Sequence, residues 1–84
     1  MDKEINEAIR QFILSKYLQG ERPEDLRDDT PLQTSGLLDS LAIIGLAGFV
    51  EQQFQVKLDI RDTGVERFDR IEDIAALIAR KQTA

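Results

Sequence analysis

"GLLDSLAIIGL", residues 36–46, sets an Asp-Ser pair at the edge of an apolar run, where a chain turns from loop into helix. Stepping 100° per residue from Ser40 to Phe54 gathers Ile43, Leu46, Ala47, Val50 and Phe54 on one face, which predicts a helix over residues 40–54 at the heart of the core. Upstream, Ile5, Ala8, Ile9, Phe12, Ile13 and Tyr17 recur at spacings of three and four and predict an amphipathic helix over about residues 3–18. Asp2 is its expected cap, Glu4 and Lys16 complement the two ends of its dipole, and Gly20 can end its last turn. Downstream, Asp69 with Glu72 three residues on forms a capping-box-like start, and Ile71, Ile74, Ala75 and Ile78 make the inner stripe of a helix over about residues 70–81.

The connections follow from what lacks helical period. "QGERPEDLRDDTPLQTSGLL", residues 19–38, holds both prolines and many charges, and reads as a long loop pinned to the core by Leu26 and Leu32, with one short turn of helix. "FQVKLDI", residues 54–60, alternates Phe54, Val56, Leu58 and Ile60 with polar residues in the manner of a strand. A lone strand would have no partner in this chain, so an extended connection with those four side chains tucked inward is expected instead. "RDTGVERFD" holds a short third helix, placed at about residues 60–66. The fold class is therefore all-α: a small four-helix bundle with a long first loop and a short third helix, in a single domain over residues 1–84, without internal repeats.

Composition bounds the function. The 26 Leu, Ile, Val and Phe residues among 84 lie above the roughly one-fifth below which disorder is the better guess. A domain of this size buries only about 60% of its unfolded surface, which leaves little room for a walled-off active site and favours binding or carrying. Sixteen acidic against 11 basic side chains give a net charge of -5, which repels nucleic acid and anionic membranes and attracts basic protein surfaces. There is no apolar run of membrane-spanning length, and "MDKEINEAIR" lacks the apolar stretch of a signal peptide, so a cytoplasmic monomer is expected.

Conventional catalytic machinery is missing from the sequence. With no histidine there is no usual base for Ser40, and with no cysteine there is neither a thiolate nor a disulfide. "DIRDTGVERFDR" puts Arg61 and Thr63 where a calcium loop wants oxygen ligands, and it lacks the central glycine and final glutamate of such a loop, so no metal is expected. Ser40 has a different use. If Asp39 caps the helix, Ser40 falls in its first turn with its hydroxyl in solvent, where a phosphodiester would meet unpaired N–H groups and the positive end of the dipole. Ser40 as an ordinary cap or solvent residue is the competing reading. Opposite the core stripe, Leu41, Gly45, Gly48 and Gln52 form an uncharged outer face. Its two glycines are either drift or places where a partner approaches the backbone, with Leu41 as anchor.

The stretch "DDTPLQTSGLLDSLAIIGLAGFVEQQFQVKL" resembles the phosphopantetheine attachment region of acyl carrier and peptidyl (aminoacyl) carrier proteins, with Asp39-Ser40-Leu41 matching the family's Asp-Ser-Leu signature. The resemblance implies that Ser40, flanked by Asp39 and Leu41, receives 4'-phosphopantetheine from a phosphopantetheinyl transferase that uses coenzyme A. The terminal thiol of that arm then holds cargo as a thioester. It further implies a non-enzyme that serves a loading enzyme and downstream transferases or tailoring enzymes, and whose interior (Phe12, Ile43, Val50, Phe54, Ile74) can part around a short acyl chain. Carriers of primary fatty-acid synthesis carry several carboxylates along the second helix, whereas here Asp39 and Glu51 remain. The chain thus looks more like discrete carriers of aminoacyl, peptidyl or unusual acyl groups in secondary metabolism, with the carrier of D-alanine a more distant cousin. A small acidic four-helix interaction or regulatory module without a prosthetic group is the alternative.

Overall fold

The computed structural model describes residues 2–83, and the side chains within that range other than those of residues 2, 3, 23 and 83. The Asp2 side chain, and with it the expected cap, therefore lies outside what is described. Helix α1 spans Asp2–Lys16, a 3-10 turn covers Pro23–Asp25, α2 spans Ser40–Phe54, α3 is the single turn Val65–Phe68, and α4 runs Ile71–Thr83. The described residues contain helices and no strand, so the all-α bundle stands. Helix α4 packs on both α1 and α3, and α1 packs on α2.

The core is built from the predicted stripes. Ile9 and Ile13 of α1, Leu46 and Val50 of α2, and Ile71, Ile74 and Ile78 of α4 are buried, joined by Leu77 and by Phe68 of α3. Ala47 and Phe54 sit at the rim of that core. Phe12 and Phe49 join α1 to α2 through rings stacked 4.1 Å apart, and Tyr17 and Phe54 meet the pair edge-on. Helix α1 stops two residues short of the expected end because the Ile13 carbonyl accepts from both the Tyr17 and Leu18 amides, and Gly20 then turns the chain at φ 95.

The long loop is held at three points, since Leu26, Leu32 and Leu38 are all buried. The Arg10 guanidinium reaches from α1 to donate to the Leu26 carbonyl at 2.8 Å and to the carboxylates of Glu7 and Asp28.

The expectations need correction at two places past α2. Helix α2 ends with Gln55 in the left-handed region (φ 56), after which Val56 is buried and Leu58 half-buried, but Ile60 is 89% exposed. The inward alternation fails at Ile60 because a tight turn begins there. The Asp59 carboxylate accepts from the Arg61 and Asp62 amides, and Asp62 accepts from the Asp59 amide. The chain closes only turns here, and α3 starts at Val65, after Gly64, rather than near residue 60. The second correction concerns Asp69. Its side chain does not cap α4; the Glu72 amide instead donates to the Asp28 carbonyl at 3.1 Å, and the Asp69 carboxylate faces the long loop.

Candidate functional site

Asp39 has the extended backbone of an N-cap (φ -85, ψ -178), and its carboxylate accepts from the Ala42 amide at 2.9 Å. The predicted cap is therefore in place, and Ser40 is the first residue of α2. Ser40 is exposed, and its hydroxyl, like its own amide and that of Leu41, has no hydrogen-bond partner among the described residues.

The neighbouring hydroxyls are occupied. Thr34 Oγ1 donates to Asp69 Oδ2 at 2.8 Å, Ser35 Oγ donates to the Pro31 carbonyl at 2.6 Å, and Thr30 Oγ1 accepts from the Arg27 amide. Elsewhere, Ser15 and Thr63 donate to carbonyls one turn back. Among the Ser and Thr residues with described side chains, Ser40 alone has a hydroxyl without a partner. A free hydroxyl in solvent, beside two unpaired amides at the positive end of a 15-residue helix, fits a phosphodiester-linked group.

Around this serine the surface is apolar. Leu41 is 78% exposed, Ile44 66% and Leu37 40%. Ile44 and Leu37, which the stripe of Leu41, Gly45, Gly48 and Gln52 does not include, join Leu41 on this surface by exposure; Ile44 falls 40° from Ser40 on the helical wheel, on the solvent side of α2. Gly48 and Gln52 are exposed as expected, and nothing lies within 4 Å of where a Cβ on Gly48 would be. Gly45 differs, because the Tyr17 hydroxyl fills the place of its missing Cβ. Its lack of bulk thus has a cause inside the molecule. The single carboxylate within α2, Glu51, accepts from the Leu58 amide at 2.9 Å and ties down the chain after the helix.

The approach to Ser40 is fixed from the far end of the chain. Asp69 Oδ1 accepts from the Gln33 and Thr34 amides at 2.6 and 3.0 Å, and the Asp69 carbonyl accepts from the Leu32 amide at 2.7 Å. Burial pushes the Asp69 carboxyl up, yet the Thr34 amide and hydroxyl and the Gln33 amide outweigh it and hold the group below the usual carboxylate range. No periodic signal marks this contact. Asp62 is also buried and also held low, first by the Lys81 ammonium at 2.9 Å and then by the Asp59 amide. These two aspartates are thus anchors of the fold, and no group of metal-ligating side chains occurs among the described residues.

Residues 13–78, which include Ser40 and its approach, match the family model described as the phosphopantetheine attachment site. The chain belongs to that family. Its prosthetic group is accordingly a covalently attached 4'-phosphopantetheine, and the protein is a carrier and not an enzyme. It is similar to a probable acyl carrier protein, PigG, of Serratia sp. (strain ATCC 39006), with 29% identity over 76 residues that make up 90% of this chain and 86% of the relative. A carrier works with partner enzymes, and no helix among the described residues is long and apolar enough to cross a membrane.

Proposed function

We propose that Ser40 is the attachment point and that the protein is a discrete carrier of acyl, aminoacyl or peptidyl groups, serving secondary metabolism rather than primary fatty-acid synthesis. The observation that carries this reading is the unpartnered, exposed Ser40 hydroxyl at the start of α2, in a region whose other hydroxyls are bonded. In the attachment step, Ser40 Oγ gives its proton to the transferase and forms the new P–O bond, while the nucleotide part of coenzyme A leaves. Asp39 holds the helix start so that Oγ stands clear of the backbone, and Leu41 offers the transferase an apolar contact beside it. The attached group supplies a terminal thiol that holds cargo as a thioester.

The cargo class rests on charge. Glu51, which accepts from the Leu58 amide, is the single carboxylate within α2, so the helix offers a basic partner little charge to read. Leu37, Leu41 and Ile44 together with Gly48 and Gln52 offer a neutral docking face for the loading enzyme and for downstream transferases. Ile43, Val50 and Ile74 are buried, so sheltering a short acyl chain would require the helices to move apart.

Mass spectrometry after incubation with a phosphopantetheinyl transferase and coenzyme A tests the assignment. The wild-type chain should gain one phosphopantetheine, and Ser40→Ala should stay folded and gain none. An intact adduct on Ser40→Ala would sink it.

A further inference from the structure

We propose that Asp69 is a positioning residue for the modification of Ser40, acting through the segment 31–38 that delivers the serine to the transferase; this rests on Ser40 being the attachment point. Between Leu32 and Leu38 the chain closes a ring, with the Leu38 amide donating to the Leu32 carbonyl at 2.9 Å, and Gly36 takes φ 79 inside it. Asp39 and Ser40 follow at once. The ring has no helix or strand of its own; besides its internal bonds and the buried Leu32 and Leu38, its polar anchor comes from the α3–α4 corner. Both carboxylate oxygens of Asp69 accept from it: Oδ1 from the Gln33 and Thr34 amides, Oδ2 from the Thr34 hydroxyl. The Gln33 side chain returns the contact, its Nε2 donating to the carbonyls of Thr63 and Phe68 at 3.1 Å each.

Asp69 is 5% exposed and no cation pairs with it among the described residues. A buried anion without a counter-ion is costly unless donors surround it, and here the donors all belong to the approach to Ser40. Bonds to a charged acceptor are roughly twice as strong as neutral ones. The ring, the Asp39 cap and the serine are therefore oriented from a residue 29 positions beyond the serine in the chain. A transferase must seat Ser40 Oγ against the phosphorus of coenzyme A, and an approach free to wander would be recognised less often, even though each correctly seated complex would react normally.

The experiment measures KM for the carrier and kcat with a phosphopantetheinyl transferase and coenzyme A, together with amide hydrogen exchange of the apo chain. Asp69→Ala should raise KM about tenfold with kcat within about twofold, and the Gln33, Thr34 and Leu38 amides should lose protection. Asp69→Asn should recover most of the KM, because its Oδ1 still accepts the two amides and its amide group can pair with the Thr34 hydroxyl. Ile9→Ala, a core variant in α1, controls for lost stability and should leave KM unchanged. Equal KM shifts in Asp69→Ala and Ile9→Ala, or a wild-type KM in Asp69→Ala, would overturn the proposal. Should Asp69→Ala fail to fold, Thr34→Val removes one donor and should raise KM about threefold; a wild-type KM there would overturn it equally. Failure of the Ser40 reading shows separately, as an adduct on Ser40→Ala whatever the Asp69 variants do.

Discussion

The hydroxyl of Tyr17 occupies the space that a Cβ on Gly45 would need. The two glycines of α2 are thus unlike each other. Gly48 meets nothing, and Gly48→Ala should stabilise the carrier by roughly 1 kcal/mol through helix propensity alone. Gly45→Ala should not deliver that gain, because the ring of Tyr17 must swing away from its packing on Phe12. Adding Tyr17→Phe to Gly45→Ala should restore it, since without the hydroxyl the nearest ring carbon lies 3.4 Å from the new methyl. Urea melts of the single and double variants check this; equal gains from Gly45→Ala and Gly48→Ala would refute it.

The cap and the recognition role of Asp39 are separable. Asp39→Ala should cost about 1 kcal/mol and slow the modification of Ser40. Asp39→Ser still caps, so stability should return while modification stays slow. Full recovery of both would leave Asp39 as a cap and nothing more.

How much of this was legible beforehand depended on whether a local rule decided it. The second helix, with Asp39 as its cap, lies at the expected residues because capping and 100° periodicity are both local. Leu26 and Leu32 are legible as loop anchors because each is a lone apolar side chain with polar residues or proline on either side. The expectation for Asp69 fails because Asp-x-x-Glu before an apolar run has the form of a capping box, and nothing local reveals that residues 33 and 34 claim the carboxylate first. Ile60 was misplaced for a similar reason: the alternation of "FQVKLDI" continues in sequence after the Asp59–Asp62 turn has ended it in space. Tyr17 over Gly45 pairs α2 with the residue that follows α1, and spacing within one helix carries no trace of it.

Acid should unfold the carrier through its two buried aspartates. Both carboxyls are held below their ordinary value in the folded chain, whereas in the unfolded chain they titrate near about 3.9. Their stabilisation is therefore present above about pH 4 and is lost as pH falls through the lower, folded values. Melting temperatures should be nearly level from about pH 7 to 5 and drop below about 4, and Asp69→Asn should soften the drop. A melting temperature that rises on acidification below pH 4 would contradict the assignment of these groups as charged anchors.

Gln55 holds a left-handed backbone at the end of α2 without being glycine. Gln55→Gly should raise stability by up to about 1 kcal/mol, less whatever the added freedom of the unfolded chain removes. Denaturant midpoints decide the sign, and a clear loss would show that the Gln55 side chain holds the turn.

Leu41 and Ile44 lie largely in solvent, so Leu41→Ala and Ile44→Ala should each change stability by no more than about 0.5 kcal/mol. Their effect should appear in loading by the partner enzyme, as a raised KM that varies little with salt because no ion pair is lost. A strong salt dependence of docking would show that the partner reads charge elsewhere on the surface.

The ring before Ser40 and the aspartate that holds it lie on opposite sides of the second helix in the chain, which bears on how carriers of this kind can be recombined. A chimaera that takes its first two helices from one parent and its last two from another places its crossover between Thr34 and Asp69, so it inherits the amides from one protein and their acceptor from the other. Each half would look intact on its own. The join would still separate Gln33 and Thr34 from the carboxylate, and Gln33 from the carbonyls of Thr63 and Phe68. Exchange that keeps these bonds together moves residues 31–69 as one block, with the crossovers in the loop ahead of Pro31 and at Arg70, just before α4.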